Sequence, residues 1–481
     1  MRLQKQKPIM SFSPLLFFFI GLGLLLKPIN DLDELWNYNF AHNIQNGLIP
    51  YQDFNMIQTP LSAYISALCL KLLGDNLVSF RICGALLLAA TFSALNKLAY
   101  RITDNSVISF VASCFLCALH TIFWIYNYNH INLLILILVM YGEYLLEQKN
   151  VTKPWSLYAW IGLLIGISPL IKQSTGVMLL SYNLAIGAYA LFWKKRNLSH
   201  WSIRLICSFL PSGIYLLYLL LSGTFSSFYD YTIAGISTFT HRETWIDFLF
   251  SSIPGFVLGL VPILVTVVSI VTIYKRKPAL YNRFLAKSLL LCWAGAIVSY
   301  PICDFVHACV AITPFVLPLL YCIGQINITK CEKIICSVFA LMVLCFSLAV
   351  NVKECVQSKP CELPYFENLP IDPSTEQQIQ TIEAYILETE KAGYTVIIAD
   401  ESAAAYTIPL SRYSKDFDLL LVGNVGTQSV EMLLWRKKAM YLVANDSVNL
   451  GKQSHTALIH YIKDHYRKVG EVLYFDVYAS D

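Results

Sequence analysis

Residues 12–36 read FSPLLFFFIGLGLLLKPINDLDELW, an apolar run followed closely by three carboxylates. Basic residues precede this run, so its start resembles a signal peptide. Lys27 and Pro28 follow it, where a signal peptide would have a small-residue cleavage site. We therefore predict an uncleaved first membrane helix over residues 12–26, with the carboxylates just beyond its end.

The composition of the whole chain agrees with a membrane protein. Of 481 residues, 56% are hydrophobic and only 14% are charged, whereas soluble domains have about 25% charged residues. This composition excludes a disordered chain and argues against a soluble enzyme of several domains. The net charge of +4 is mild, and a nucleic-acid partner, which needs a concentrated basic face, is not expected.

Ten further apolar runs approach the length that a membrane helix needs, about 20 residues. They cover residues 77–100, 107–125, 131–146, 155–171, 176–193, 203–221, 248–274, 284–298, 308–326 and 334–350. With the first run they predict a polytopic α-helical protein of about eleven membrane helices.

Lysines and arginines in short loops indicate the orientation, because such residues are retained in the cytoplasm. With eleven helices, all of the basic loops lie on one side: Arg2, Lys5, Lys7, Lys97, Arg101, Lys149, Lys153, Lys194, Lys195, Arg196, Lys275, Arg276, Lys277, Arg283, Lys330 and Lys333. The other side has mainly acids: Asp31, Asp33, Glu34, Asp53, Asp230 and Asp304. We therefore predict a cytoplasmic N-terminus, with the acidic loops and the C-terminal region outside.

Two domains are expected, a transmembrane domain over residues 1–350 and a small extracytoplasmic α/β domain over residues 351–481. In the second domain the pattern predicts strands and helices in alternation. The strands are expected at 394–398, 419–422, 440–443 and 472–477, and the helices at 375–391, 428–436 and 455–465. Cys355 and Cys361 flank a short polar loop, and both a disulfide and two free thiols are open alternatives there.

The first outer loop, residues 27–76, is far longer than a turn requires. A helix is predicted from residue 31 to residue 46 and ended by Gly47. A second helix is predicted with Thr59 as its N-cap and Pro60 at its first position, and Gly74 ends it. With about 14 residues it would be about 21 Å long, too short to span the bilayer. We expect it to lie along the outer membrane surface as part of a roof of short helices.

Several charged residues near the outer face are candidates for chemistry, each with a structural alternative. Asp31, Asp33 and Glu34 could simply favour a solvated helix N-terminus. Lys172, at the outer end of the fifth predicted membrane helix, could be an anion-binding cation or a lysine that extends its head to water. Asp304 and His307 could belong to a site or to an ordinary polar turn.

Two further polar segments have less specific signals. Arg81 lies just inside the second predicted membrane helix, where a boundary cation is common. The polar residues 127–130 close an outer turn, and we interpret them as mainly structural.

The order of the motifs resembles a known family. Asp33-Glu34, then Pro50-Tyr51-Gln52-Asp53-Phe54, Pro60-Leu61, the glycines of 162–166 before Lys172, and Tyr300-Pro301 with Asp304, His307 and Pro314 recur in this order. This sequence is similar to membrane glycosyltransferases of the GT-C fold, in the superfamily of bacterial protein mannosyltransferases and the aminoarabinose transferase of lipid A. The resemblance covers roughly residues 12–325.

The resemblance implies a polyprenyl-phosphate sugar as donor and assigns residues. Asp33 becomes the catalytic base, with Glu34 beside it, and Asp53 becomes a further active-site carboxylate. Tyr51 and Asp304, which belong to the matching motifs, are expected in the active site. Such relatives have a lysine before the proline near residue 60, but here the stretch is Gln58-Thr59-Pro60. The phosphate would then be held by Lys172, Arg81 or His307.

The acidic and basic residues assigned by the resemblance suit the chemistry of the expected reaction. An acceptor hydroxyl that attacks the anomeric carbon needs a base, and the leaving phosphate needs positive charge in a water-poor site. We expect Asp33, Asp53, Lys172 and Asp304 to face one outer cavity. No metal ligand set is assigned; the acids offer oxygen ligands that suit Mg²⁺ or Mn²⁺, and the reaction could equally proceed without a cation.

The sequence thus predicts a glycosyltransferase of the bacterial inner membrane. The expected partners are the lipid-linked sugar, membrane lipid, and lipopolysaccharide, a glycolipid or a protein as acceptor. A transporter is an alternative, although inverted repeats and polar groups at the bilayer midplane, typical of transporters, are not evident. A lipid-linked oligosaccharide ligase or polymerase would be expected to place its chemistry in a late loop, and a purely structural scaffold also stays open.

Overall fold

A computed structural model describes residues 8–29, 32–123, 127–148, 153–192, 198–234, 243–275, 280–300, 302–323, 330–400, 402–411, 438–445, 456–480. Asp31, the predicted strand 419–422 and the predicted helix 428–436 lie outside these residues.

Most described residues are helical. The helices of the first half are α1 (Pro8–Gly21), α2 (Leu32–Gln45), α3 (Leu61–Leu73), α4 (Leu77–Thr103), α5 (Ser106–Phe123), α6 (Tyr128–Leu146), α7 (Pro154–Ile167), α8 (Gln173–Phe192) and α9 (Leu198–Leu221). Short 3₁₀ turns follow α1 and α7, over Leu22–Leu26 and Ser168–Leu170.

The second half adds shorter helices and the strands. Its helices are α10 (Phe225–Tyr229), α11 (Trp245–Ser251), α12 (Ile253–Lys275), α13 (Leu280–Ala296), α14 (Phe305–Ile312), α15 (Val316–Ile323), α16 (Lys330–Val356), α17 (Pro373–Lys391), α18 (Ala403–Thr407) and α19 (Thr456–His465). Its strands are β1 (Lys359–Pro360), β2 (Pro370–Ile371), β3 (Thr395–Ile398), β4 (Ala439–Ala444), β5 (Arg467–Val472) and β6 (Phe475–Ala479).

Within the described ranges, seven helices are long and apolar enough to cross a membrane. They are Leu77–Thr103, Tyr128–Leu146, Gln173–Phe192, Leu198–Leu221, Ile253–Lys275, Phe305–Ile323 and Ser337–Val356. The predicted class, a polytopic helical protein with a small α/β region near its C-terminal end, is confirmed. The other four predicted segments form shorter helices in the described residues, and the count of eleven stays a prediction.

The chain divides into two compact units. The first unit comprises Met1–Leu24, Arg81–Tyr215 and Arg242–Val352, and the second comprises Leu25–Phe80, Leu216–His241 and Lys353–Asp481. The division by sequence into residues 1–350 and 351–481 stays a prediction.

Close helix packing in the first unit explains one of the glycine motifs. A Cβ atom added to Gly162 would lie 2.3 Å from the carbonyl oxygen of Arg204, and one added to Gly166 would lie 2.5 Å from that of Ser208. Small residues four apart let two helix backbones approach closely. The glycines of α7 therefore fix its packing against α9.

The predicted membrane helix over residues 248–274 is wrong at its start. The structure has two helices there, α11 and α12, separated by Ser252 in an extended conformation. Pro254 has no N–H group and is tolerated in the first turn of a helix but not within one. The Ser252 hydroxyl accepts a hydrogen bond from the Gly255 N–H at 3.1 Å and so caps the new helix.

The two short helices predicted in the first outer loop are α2 and α3, which pack against each other in the second unit. We call them the roof helices. Gly47 and Gly74 follow them with φ of +87° and +109°, a backbone conformation that favours glycine. The helix α3 begins at Leu61 with Pro60 as N-cap, so the predicted cap by Thr59 is wrong by one residue. The first helical hydrogen bond joins the Tyr64 N–H to the Pro60 carbonyl.

The described strands of the C-terminal sheet have the order β3-β4-β6-β5, and among their pairs only β3–β4 is parallel. Its core contains Ile397, Tyr441, Val443 and Ile462. The predicted strand over residues 472–477 is wrong, because a turn at residues 473–474 separates β5 from β6 and makes a hairpin of this segment. Cys355 and Cys361 are free thiols, which decides between the two alternatives for this pair.

Candidate active site

The acidic pair lies in the first turn of α2. Glu34 is buried, with 1% of its surface exposed, and Asp33 is half-buried. Successive residues of a helix point about 100° apart, so the two carboxylates leave α2 in different directions. Asp33 shares its face with Asn37, which is four residues further along.

A chain of hydrogen bonds joins the Asp33 face of α2 to the loop 47–60. The Asn37 side chain donates to the Asp33 carbonyl at 2.7 Å, and its own oxygen accepts from Gln58 Nε2 at 2.8 Å. The Tyr51 hydroxyl donates to the Gln58 carbonyl at 2.6 Å. Gln58, in the stretch where the resemblance implies a lysine, therefore ties the loop to the helix that bears Asp33.

Tyr51 holds a constrained position in this loop. Its ring is fully buried with its edge against Phe228, 5.2 Å between ring centroids. Its φ of +66° lies in the left-handed region, which costs a residue with a side chain about 1–2 kcal/mol. Packing and the hydroxyl bond to Gln58 stabilise this backbone, so Tyr51 shapes the loop that contains Asp53.

Asp53 closes a tight turn in the same loop. Its carboxylate accepts a hydrogen bond from the Ile49 N–H at 2.7 Å, and its own N–H donates to the Ile49 carbonyl at 2.9 Å. These bonds give Asp53 a structural function. Its catalytic function stays a prediction.

Lys172 lies in the first unit, directly before α8, and only 9% of it is exposed. Its ammonium donates to Asn129 Oδ1 at 3.0 Å and to the Val298 carbonyl at 3.1 Å. It also lies 5.3 Å from the centre of the Tyr128 ring. A lysine that extends its head to water keeps that head exposed, so this alternative does not fit Lys172.

Arg81 is also buried, with 1% of its surface exposed. Its Nη1 donates to the Leu24 carbonyl at 3.0 Å. Leu24 belongs to the 3₁₀ turn that follows α1, and a cation is favoured beside the carbonyl end of a helix. Arg81 thus stabilises the end of the first predicted membrane segment, and phosphate binding by Arg81 stays a prediction.

Asp304 is the N-cap of α14. Its Oδ1 accepts hydrogen bonds from the His307 N–H at 2.8 Å and from His307 Nδ1 at 2.9 Å. Burial alone would raise the pKa of Asp304, but the hydrogen bond and charge of His307 hold that pKa below its usual value. The pair therefore has the features of a helix cap, and its part in a site stays a prediction.

The predicted site residues divide between the two units. Asp33, Glu34, Tyr51 and Asp53 belong to the second unit, and Arg81, Lys172, Asp304 and His307 to the first. The expectation that they face a common cavity stays a prediction. In the described part of the chain, no group of three or more His, Cys, Asp or Glu could hold a metal ion.

Comparisons with known proteins bear on this arrangement. Residues 57–221 match the family model of dolichyl-phosphate-mannose-protein mannosyltransferase. The crystal structure of ArnT from Cupriavidus metallidurans bound to undecaprenyl phosphate is similar, with a TM-score of 0.58 and 12% identity over 98% of this chain and 97% of that chain. The chain has the GT-C fold.

The apo structure of the same ArnT agrees, with a TM-score of 0.59, 12% identity and the same coverage of both chains. A comparison with curated protein sequences finds no match. The resemblance to GT-C transferases of the ArnT and mannosyltransferase type is confirmed.

Sequence reasoning missed functional candidates in this GT-C chain. Asn129 belongs to the turn that the sequence predicts to be mainly structural, yet its side chain accepts a hydrogen bond from the Lys172 ammonium. Gln58 belongs to the stretch that lacks the expected lysine, and the sequence does not predict its hydrogen bond to Asn37. The signal available in the sequence was the repetition of asparagine at 127, 129 and 132, at the start of one predicted helix.

Proposed function

We propose that this protein transfers a sugar from a polyprenyl-phosphate donor to an extracytoplasmic acceptor: lipopolysaccharide, a glycolipid or a protein. One observation supports this most directly. The acidic pair begins α2 soon after the first apolar segment, within a fold shared with ArnT over nearly the whole chain. That ArnT has been crystallised with undecaprenyl phosphate.

In the proposed reaction, the acceptor hydroxyl oxygen forms a bond to the anomeric carbon of the sugar. The bond from that carbon to the phosphate oxygen breaks, and the lipid phosphate leaves with the electron pair. Asp33 takes the hydroxyl proton, because it is the half-exposed member of the acidic pair and acceptors can reach it. Lys172 stabilises the negative charge on the phosphate.

The test is sugar transfer by purified protein in lipid nanodiscs. Polyprenyl phosphates with a hexose, a pentose or an amino sugar are each supplied, and both release of lipid phosphate and labelling of an envelope acceptor extract are measured. Transfer from one donor identifies the sugar class. Solute uptake into proteoliposomes without any transfer would instead favour a transporter, and joining of preformed lipid-linked chains would favour a ligase.

The proposed location is the bacterial inner membrane, with the N-terminus in the cytoplasm and the site outside. The distribution of lysine and arginine in the loops supports this orientation. A reporter fused after Val350 should be active only outside the cytoplasm, and one fused after Arg196 only inside. Equal behaviour of the two fusions would contradict both the orientation and the count of eleven helices.

A further inference from the structure

Lys172 lies directly before the first residue of α8, and its ammonium donates a hydrogen bond to Asn129 in the first turn of α6. We propose that Lys172, Asn129, Asn132 and the first turn of α8 form a binding site for a phosphate group. This inference rests on the proposed function, in which the ligand is a polyprenyl phosphate. It adds uncharged hydrogen-bond donors to the Lys172 ammonium as groups that bind the phosphate.

Asn129 supplies the first neutral donor. Its Oδ1 accepts from Lys172 Nζ at 3.0 Å, and this bond fixes which atom of the amide is the NH₂ group. That Nδ2 is buried in a residue with 0% exposure and has no hydrogen-bond partner among the described residues. Since Nδ2 and Oδ1 are bonded to the same carbon, the unused donor lies beside the ammonium. A buried donor of this kind requires an acceptor.

Asn132 adds a second amide one turn further along α6. Its Oδ1 accepts from the Ser168 hydroxyl at 2.8 Å, and the Ser168 carbonyl accepts from the Lys172 N–H at 3.0 Å. The Nδ2 of Asn132 is buried and has no partner within the described ranges. Residues three apart share a helix face, so both amide donors are on the same side of α6.

The start of α8 adds hydroxyl and backbone donors. Ser174 and Thr175 are in its first turn, and in the described structure both hydroxyls are buried without a hydrogen-bond partner. The first N–H groups of any helix lack intrahelical acceptors, and the positive end of its dipole is there. Helix N-termini with such groups bind phosphate.

The chemistry of these groups selects the ligand. An ammonium, two NH₂ groups and backbone N–H groups are donors only, and hydroxyls can donate as well. A phosphate presents several oxygens that are acceptors only and is negatively charged, so it matches this set better than an uncharged sugar. Inorganic phosphate and the head group of a polyprenyl phosphate share this chemistry, and an assay must distinguish them.

The experiment measures binding of undecaprenyl phosphate, undecaprenol and inorganic phosphate to the full-length protein in detergent, for wild type and variants. Asn129→Asp keeps the acceptor for Lys172 and the side-chain size, but it replaces an NH₂ donor by a negative charge. Its affinity for undecaprenyl phosphate should fall about 10-fold or more, since a hydrogen bond to a charged group is worth about that factor, while thermal stability is retained.

Ser174→Ala should weaken binding about 3–10-fold. Its matched control is Ser156→Ala, a serine in the first turn of the neighbouring α7 whose hydroxyl donates to the Lys153 carbonyl; binding should be unchanged in this control.

The outcomes separate the two claims. If wild type binds undecaprenyl phosphate no better than undecaprenol, the phosphate is not recognised and both the site and the proposed donor are overturned. If wild type prefers the phosphate but both Asn129→Asp and Ser174→Ala bind it normally, this site alone is overturned and the proposed function stands. If inorganic phosphate competes with undecaprenyl phosphate, and competes less well in the same variants, the site recognises the phosphate group itself. If inorganic phosphate does not compete at any concentration while the variants still bind undecaprenyl phosphate weakly, the site also needs the attached lipid.

Discussion

Two groups of buried charge in the first unit are built in opposite ways. In one, which we call the paired network, Glu143 lies 2.6 Å from Arg204 and 2.8 Å from Lys287, and Glu147 lies 2.7 Å from Lys287. Arg204 further contacts Asn183 at 2.5 Å and the Trp201 ring. In the other group, the Lys172 head contacts an amide oxygen, a carbonyl and an aromatic ring, with unused donors close by.

The difference indicates which buried charges are structural. The paired network has two acids and two bases, so its charges cancel within the protein. It links α6, α8, α9 and α13, and each of its charged groups has an oppositely charged partner within the protein. The group around Lys172 has an excess of donors, and a buried donor without an acceptor is costly. We therefore expect variants of the paired network to alter stability, and variants of the site groups to alter activity at constant stability.

The largest effect is expected from Glu143→Gln in the paired network. It leaves Arg204 and Lys287 with a single acid, and removing one partner of a buried ion pair lowers the free energy of unfolding by about 3–5 kcal/mol. Thermal unfolding in detergent measures this change. The double variant with Arg204→Met, in which Lys287 and Glu147 stay paired, should recover a large part of the loss. An unchanged melting temperature in Glu143→Gln would remove the structural interpretation of this network.

Asp33→Asn should have the next largest effect, on turnover. The variant keeps the shape of the side chain and loses the base, so sugar transfer should fall about 10²-fold or more. Stability should change by no more than about 1 kcal/mol, the value of an acid at a helix start. Asp104→Asn, an exposed acid after α4, serves as the control. Near-normal transfer by the Asp33 variant would move the assignment to Glu34 or Asp53.

Lys172→Ala should mainly weaken use of the donor. Loss of a charged hydrogen-bond donor to phosphate should raise the KM for the lipid donor about 10-fold, while the protein still accumulates in the membrane. Lys97 is a matched control, because its ammonium also lies over a tyrosine ring, 5.9 Å from the centre of Tyr141, but is exposed. If the KM for the lipid donor is the same in Lys172→Ala, Lys97→Ala and wild type, Lys172 does not bind the donor and has a structural function alone.

The smallest effect concerns Glu383 of α17, a half-buried acid in the second unit with an unpartnered Oε1 in the described structure. Burial raises its pKa to about 7. The folded state then binds the proton more tightly than the unfolded state, so stability is retained below about pH 4.5 and lost as pH rises through about 7. Glu383→Gln should stabilise the protein at pH 8 by less than about 1 kcal/mol and have no such effect at pH 4. A melting-temperature difference between the variant and wild type that is the same at both pH values would contradict this account.

Much of the fold could be predicted because it depends on simple patterns. Apolar runs determine where helices cross a membrane, and glycines with positive φ end both roof helices, as expected at Gly47 and Gly74. The errors have local causes that a hydropathy average hides. Pro254 starts a new helix inside an apolar run, and the turn at residues 473–474 divides a run with strand propensity into a hairpin.

The site was harder to predict because its contacts join distant residues. Asn129 and Lys172 are 43 positions apart, and Gln58 contacts Asn37 across 21 positions. Sequence patterns identify which charged residues are unusual, such as Lys172 among acidic loops. They do not indicate which asparagines and serines surround such a residue, because these are equally common in turns.

The roof helix α3 has a practical consequence for anyone handling this protein. Its small and polar residues, including Ser62 and Ser66, face inward, whereas Leu68 and Leu72 are 58% and 74% exposed. In aqueous buffer this helix would expose a hydrophobic surface that favours aggregation. Purification in a detergent whose micelle is too narrow to cover α3 should therefore give aggregated protein. Addition of short-chain lipid should then restore a non-aggregated sample.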